Sequence, residues 1–152
     1  MTFEQWVLSV PEEIKGDAVW NVEAYRLGVF AKALAWHDVT KLMKDRRTRS
    51  LIDQLFRAIG SVSANISEGF SRSTGKNRAY FYECALGSAR ESRDWYDQSR
   101  PVLGPKVTAH RLKLTTQIIK LLLKMIPDQR ESNHKLRQTP RTNSQSRNHV
   151  FT

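Results

Sequence analysis

Apolar residues recur every three or four positions along most of the chain, and this spacing is typical of amphipathic helices. The pattern breaks at three points, where glycine, proline or clustered polar residues interrupt it. We therefore predict four helices of about 15 to 25 residues each. They cover approximately residues 17–37, residues 48–69, the stretch from the break at residues 73–75 to just before Pro101, and residues 105–127.

The connections between these predicted helices are short, and short connections join antiparallel neighbours. We therefore expect an all-α fold, an antiparallel up-down-up-down four-helix bundle over residues 17–126. Residues 1–16 are apolar and acidic, and we expect them to form an N-terminal docking segment on the bundle or on a neighbouring subunit. The apolar side chains available for this contact are Phe3, Trp6, Val7 and Leu8. Residues 127–152 are polar and basic with few apolar anchors, so we expect a disordered basic tail.

The second predicted helix contains an unusual number of small side chains, in the stretch SVSANISEGF at residues 61–70. Three small residues share one face of this helix, and a second small surface follows on the third helix. They are Gly60, Ala64 and Ser67 on the second helix and Ala85, Ser88 and Ala89 on the third. Because small side chains let two backbones approach closely, we expect these faces to pack together. Asn65, Glu68 and Arg72 lie on a neighbouring stripe, where we expect a polar cluster within one chain or across a subunit boundary.

The charge of the chain is strongly positive, with 25 lysines and arginines against 15 aspartates and glutamates and a net charge of +10. The N-terminal 25 residues hold five acids and one base, so the excess of bases lies in the helical region and the tail. A basic body of this size attracts polyanions, and we expect RNA or DNA as a partner. A basic surface with no dedicated partner is the alternative.

The candidate nucleic-acid-binding residues fall into three groups. Lys41, Lys44, Arg46, Arg47 and Arg49 crowd the link between the first and second predicted helices, and Arg100 and Lys106 should reach the same end of an antiparallel bundle. Arg72, Lys76 and Arg78 lie at the opposite end. Lys113, Lys120 and Lys124, together with Gln117, form a stripe on the fourth helix that is also typical of a solvated face. Because no base-reading motif is present, we expect salt-sensitive binding to the phosphate backbone.

No pattern in the sequence indicates catalysis, and we expect a non-enzymatic protein with no catalytic residue, no cofactor and no metal site. Cys84 is the single cysteine and lies mid-helix without a neighbouring histidine, which favours a structural thiol. His37 and Asp38 could form a metal or base pair, but a histidine at a helix C-terminus that interacts with the helix dipole is the more ordinary interpretation. His110 has no HxxxH partner, and residues 73–77 lack the upstream glycine of a phosphate-binding loop. We expect the aromatic residues in the core and at interfaces rather than as stacking platforms for bases. They include Trp20, Trp36, Tyr80, Trp95 and Tyr96.

Two further features bear on localisation. The strongest apolar stretch, residues 118–126, is interrupted by Lys120 and Lys124, so we expect no membrane span. The N-terminus has no basic region of the kind that opens a secretory signal. Together with the single cysteine, which excludes an intramolecular disulfide, these features predict a cytoplasmic protein.

Two sequence blocks resemble the signature of a family of small four-helix-bundle proteins. They are QLFRAIGSVSANISEGFSR at residues 54–72 and FYECALGSARES at residues 81–92, and VWNVEAYRL at residues 19–27 is similar to the opening of the family's first helix. The family includes proteins encoded in intervening sequences of bacterial large-subunit ribosomal RNA genes and the accessory variability determinant of diversity-generating retroelements. The matching residues include Trp20, Arg57, Asn65, Glu68, Gly69, Arg72, Gly87, Ser88 and Glu91, for which a structural role is expected.

The resemblance implies a homo-oligomer, a closed ring that is often a pentamer and has no catalytic site. It also implies nucleic-acid binding and association with a reverse transcriptase, because the retroelement accessory protein is basic and acts in mutagenic complementary-DNA synthesis. We therefore expect a basic homopentameric reverse transcriptase accessory protein that binds RNA or DNA. The alternative is a protein–protein scaffold, or an intervening-sequence protein with no polymerase partner.

Overall fold

Four long helices and three short ones make up most of residues 1–138, the part of the chain that a computed structural model describes, with side chains described as far as Ser132. The helices are α1 (Phe3–Val7), α2 (Glu12–Lys15), α3 (Glu23–Leu42), α4 (Arg49–Phe70), α5 (Gly75–Gln98), α6 (Arg100–Leu103) and α7 (Pro105–Gln138). Single 3-10 turns lie at Ala18–Asn21 and Arg46–Thr48. No described residue lies in a strand, so the predicted all-α class is confirmed.

The four long helices pack side by side around one apolar core. Helix α3 contacts α4 and α7, and α5 contacts the same two helices. On α4 and α5, Ser61 lies against Ser88 while Gly69 lies against Phe81, so these helices run in opposite directions. The core is formed by buried residues from all four helices, among them Leu27, Leu34, Ile59, Ile66, Ala85, Ala89, Ile118 and Leu122.

The first long helix begins and ends later than predicted. The Asp17 carboxylate accepts a hydrogen bond from the Val19 amide at 3.0 Å, as a cap does, but it caps a 3-10 turn. Val22 is then extended, with φ of −80° and ψ of 112°, so the α-helix starts at Glu23. The helix continues beyond His37 to Leu42 because Leu42 is buried in a second apolar cluster.

The predicted end of the fourth helix at residue 127 is wrong, because α7 passes through Pro127 and continues to Gln138. A proline inside a helix removes one backbone hydrogen bond, here to the Leu123 carbonyl. Both residues are exposed, so water can bond that carbonyl. Beyond the proline, Gln129 accepts from Arg78 at 2.6 Å and Arg130 pairs with Glu83. These contacts with the first turns of α5 stabilise the extension, and only residues 139–152 of the predicted tail lie outside the described residues.

The N-terminal segment docks on the core of its own chain. Trp6 is buried, and its ring lies 5.2 Å from that of Phe30 on α3 and 6.1 Å from that of Trp20. Phe3 makes an edge contact with Phe30 at 5.5 Å. Leu8 was expected to join this contact but lies just beyond the end of α1 and is 85% exposed.

The small residues of α4 contact two helices rather than one, so the predicted matching faces are partly wrong. Ala64 is exposed, and Gly60 lies beside Lys32 of α3. The contact with α5 is made instead through Gly69 and through Ser61, whose hydroxyl donates to that of Ser88. The small residues are divided because α4 has α3 on one side and α5 on the other.

A buried ion pair joins three of the long helices near one end of the core. Asp38 of α3 accepts from the Arg111 guanidinium of α7 at 2.7 and 3.0 Å and from the Tyr96 hydroxyl of α5 at 2.8 Å. Burial, and next the Asp38 carboxylate, raise the pKa of Tyr96 well above its ordinary value, so the phenol stays protonated and donates. Arg111 also contacts the His110 ring nitrogen Nδ1 at 2.7 Å.

The second apolar cluster lies beside this ion pair and closes that end of the molecule. Its buried members are Val39, Leu42, Leu55, Tyr96 and Leu103, so it joins α3, α4, α5 and α6. The Thr48 hydroxyl donates to the Leu42 carbonyl at 2.5 Å and ties the start of α4 to the end of α3. None of the described helices is both long and apolar enough to cross a membrane.

Gly69→Ala and Gly87→Ala should change stability in opposite directions. A Cβ at Gly69 would lie 2.9 Å from the Phe81 Cβ, which cannot move away, so we expect a loss of about 1–3 kcal/mol from overpacking. Apart from its chain neighbours and its own helix backbone, no described atom lies within 4 Å of a Cβ at Gly87, so the better helix former should gain roughly 0.5–1 kcal/mol. Urea unfolding followed by circular dichroism measures both, and equal effects would contradict the packing described at Gly69.

Asp38→Ala should cost about 3–5 kcal/mol of unfolding free energy, because it leaves the Arg111 charge buried without a partner. Glu68→Ala is the matched control, since it breaks the exposed pair with Arg72 and should cost no more than about 1 kcal/mol. The same urea titration compares the two. A loss at Asp38 no larger than the loss at Glu68 would show that the buried pair does not hold the three helices together.

Candidate functional site

The bases predicted from the link between the first two helices lie on and beside a tightly held turn, with Lys41 at the end of α3 and Arg49 at the start of α4. The turn Arg46–Thr48 is capped by Asp45, whose Oδ1 accepts from the Arg47 amide at 2.9 Å. The side chains of Lys41, Lys44, Arg46, Arg47 and Arg49 are all exposed. Because the backbone beneath them is fixed by Asp45 and by the Thr48 hydroxyl, these cations extend from a rigid support.

The link between α5 and α7 reaches the same end, as predicted for Arg100 and Lys106. A surface cavity of about 270 Å³ separates the two links. Arg47, Thr48 and Leu51 line one side of it, and Gln98, Pro101 and Val102 line the other. We call this surface the basic end, defined as Lys41, Lys44, Arg46, Arg47, Arg49, Arg100 and Lys106.

Two of the cations at the basic end already have a carboxylate partner. Arg47 holds Asp45 through Nη2 at 2.6 Å and Nε at 3.0 Å, and Arg100 pairs with Asp97. The hydrogen bonds from the Arg47 side chain and amide lower the pKa of Asp45 to about 2, so the carboxylate stays charged at neutral pH. Within the described residues, Lys41, Lys44, Arg46, Arg49 and Lys106 form no ion pair. No described carboxylate therefore neutralises the charge of these five cations.

At the opposite end, two of the three predicted bases are used by the fold. Arg72 pairs with Glu68 and lies 4.7 Å from the centroid of the Phe81 ring. Arg78 donates to the Arg72 carbonyl at 2.8 Å and to Gln129. Lys76 is exposed and, among the described residues, has no carboxylate partner. This end therefore offers less free charge than the basic end.

The predicted stripe on α7 is exposed along its length. Lys113, Gln117, Lys120 and Lys124 all face solvent, and the three lysines make no ion pair with a described residue. Lys106, Lys113 and Lys120 are seven residues apart, about two helical turns, so they share one face of α7. The stripe therefore continues from the basic end toward the middle of the molecule.

Most of the family residues have contacts within the chain. Trp20 packs on Trp6 and Tyr25, the Asn65 amide donates to the Ser61 carbonyl at 2.8 Å, and Glu91 accepts from the Trp95 indole at 3.2 Å. The polar cluster expected from Asn65, Glu68 and Arg72 is present in part, as the Glu68–Arg72 pair.

Two family residues lack such contacts. Arg57 is exposed and has no described hydrogen bond or ion pair, and Gly87 is exposed with open space around it. Neither residue is therefore explained by the packing of a single chain.

Sequence reasoning missed two features that only the packing reveals. Asp38 was not predicted to be buried. Its position four residues from both Leu34 and Leu42 places it on the buried face of α3, and this spacing was a signal in the sequence. Trp36 and Tyr80, expected in the core or at interfaces, are 65% and 61% exposed and so lie outside the core. Cys84 is a free, half-buried thiol, and the described residues contain no group of three or more potential metal ligands.

Comparison with known proteins places the chain in one family. The family model described as 23S rRNA-intervening sequence protein matches residues 29–124, more than half of the chain. The match begins in α3, ends in α7 and includes the link that carries the basic end. Neither the curated proteins nor the solved structures that were compared gave a match. The chain belongs to the family of 23S rRNA-intervening sequence proteins.

Proposed function

We propose that this chain is a non-enzymatic, basic homo-oligomeric protein of the cytoplasm that binds RNA or DNA. In this proposal its four long helices form an antiparallel up-down-up-down bundle that carries the basic end as a binding surface. The observation that supports it best is the set of five cations at that end without a described carboxylate partner. Exposed lysines and arginines on a rigid turn are suited to phosphate groups, which they contact without reading the base sequence.

Binding of this kind is driven mainly by the release of counterions from the nucleic acid. Each phosphate that a lysine or arginine neutralises contributes about −0.9 to the slope of log K against log salt for duplex DNA, and about −0.7 for single strands. Contacts from the five free cations therefore correspond to a slope of roughly −4. The Asp45–Arg47 pair would add little, because its charges already neutralise each other.

Assembly into a ring is proposed from the family resemblance, with a pentamer as the expected size. Arg57 and Gly87 support it, because both belong to the family signature and neither has a described partner within the chain. A ring forms when a surface of one copy meets a different surface of the next and the rotation closes. Copies around one axis would also place several basic ends near one another, which strengthens attraction for a polyanion.

A reverse transcriptase of a diversity-generating retroelement is the partner that we propose, with the chain acting in mutagenic complementary-DNA synthesis. The second candidate is an intervening-sequence protein with no polymerase partner, which the matching family description favours. Co-purification of a reverse transcriptase encoded beside this chain would support the first. Its absence from affinity-purified complexes, with nucleic acid still bound, would support the second.

Replacing Lys44, Arg46 and Arg49 with glutamate should abolish most nucleic-acid binding. Because three phosphate contacts are lost, the salt slope should fall by about 2 to 3. Fluorescence anisotropy with a labelled 20-nucleotide RNA between 50 and 200 mM salt measures both effects. The same change at Lys113, Lys120 and Lys124 compares the predicted stripe on α7 with the basic end, since the change in net charge is the same; we expect the smaller loss there. Equal losses in the two variants would place the effect in overall charge rather than in the basic end.

Light scattering should give the purified protein a mass several times that of one chain, with five copies expected. Gly87→Arg should lower that mass while leaving the helical circular dichroism unchanged, because a long side chain would fill the open space beside α5. Arg90→Ala is the control on the same helix, since it removes an exposed side chain and adds no volume. A protein that stays monomeric at micromolar concentration would refute the assembly.

A further inference from the structure

Trp36 is a large apolar side chain that the fold leaves open to solvent. It is 65% exposed, and its ring lies 6.1 Å from that of Phe56 on α4. Phe56 is itself held by Lys32, whose ammonium lies 3.1 Å from the ring centroid and donates to the Phe56 carbonyl at 3.0 Å. Gly60 leaves the space that Lys32 occupies, since a Cβ there would lie 2.9 Å from the ammonium. The indole is therefore supported on one side and accessible on the other.

The same face of α3 leads from Trp36 to the basic end. Thr40 follows Trp36 by about one turn, roughly 6 Å further along the helix axis, and Lys44 lies in the turn just beyond the helix end at Leu42. The Thr40 hydroxyl donates to the Trp36 carbonyl at 2.8 Å, so this side chain lies against its own helix and does not cover the surface beside Trp36. Lys44 is exposed, and the turn that follows it carries Arg46 and Arg49. Trp36, Lys44, Arg46 and Arg49 thus follow one another from the last turns of α3 to the start of α4, and we call this surface the strip.

The acids near this strip do not cancel its charge. Asp45 is occupied by Arg47. Asp53 on α4 is exposed and pairs with no described cation, and Lys44, Arg46 and Arg49 outnumber it. The strip therefore combines an accessible aromatic ring with a local excess of positive charge.

We propose that Trp36 stacks on a base of single-stranded nucleic acid while Lys44, Arg46 and Arg49 bind the phosphates of the same strand. The inference rests on the proposed function and specifies its ligand. Aromatic rings beside a basic groove bind single strands in this way, because every base offers a flat face for stacking. In a duplex those faces are already stacked on neighbouring bases, so the site favours single strands. The cations beside Trp36 that have no described carboxylate partner argue for this occupant, because a nucleic acid is a polyanion.

The test compares Trp36→Ala with the wild-type chain on two probes of equal phosphate number. The probes are a 20-nucleotide oligothymidylate and an abasic oligodeoxynucleotide of the same length. Stacking contributes about 1–3 kcal/mol per base, so Trp36→Ala should weaken oligothymidylate binding about 5- to 150-fold. Binding of the abasic probe, and the salt slope for both probes, should not change because no phosphate contact is lost. Trp36→Phe should retain most of the affinity.

Tyr80→Ala is the matched control, because Tyr80 is an exposed aromatic residue on α5 near the opposite end. The Tyr80→Ala variant should bind both probes with the affinity of the wild-type chain. Unchanged oligothymidylate binding by Trp36→Ala, or an equal loss on both probes, would overturn the inference. A fall in the oligomer mass of Trp36→Ala, measured by light scattering, would also overturn the inference, because it would place Trp36 between copies of the chain. If the wild-type chain binds neither probe, the proposed function fails as well; if it binds both, only the stacking role is at issue.

Discussion

The buried Asp38 carboxylate is the contact on which the arrangement of this protein most depends. It joins α3 to α7 through Arg111 and to α5 through Tyr96, just inside the end where the basic residues gather. A buried charge is costly unless it is paired and hydrogen-bonded, and here the guanidinium and the phenol together satisfy it. Three helices must therefore keep one relative position, and the turn at Arg46–Thr48 is supported by the packing that results.

The cations of the chain fall into two groups according to their surroundings. Some cations serve the fold: Arg111 is buried with its carboxylate, Arg78 joins α5 to α7, and Lys32 supports Phe56. Others, such as Lys44 and Arg46, extend from the surface without a described partner. A net charge of +10 therefore says little about binding until these two groups are separated. The proposed interface is the place where unpaired cations and an accessible aromatic ring coincide.

Helical periodicity predicted the number and approximate limits of the long helices, because burial on one face repeats every three to four residues. It failed where a local signal was outweighed by packing. Pro127 is a strong stop signal, yet α7 continues because α5 extends past that level and provides contacts for Gln129 and Arg130. The small residues of α4 showed that close packing occurs, but not that Gly60 faces Lys32 while Gly69 faces Phe81. A one-dimensional pattern specifies a face and not the neighbour of that face.

The amino-acid sequence by itself determined the all-α class, the positive charge, the family and the clustering of bases in the link before α4. These properties follow from spacing and composition, which need no knowledge of neighbours. Only the tertiary structure decided that Asp38 is buried, that Arg47 is paired while Arg46 is free, and that Trp36 is exposed beside the basic end. Pairing and exposure depend on which helix lies beside which, and that is settled only when the helices pack together.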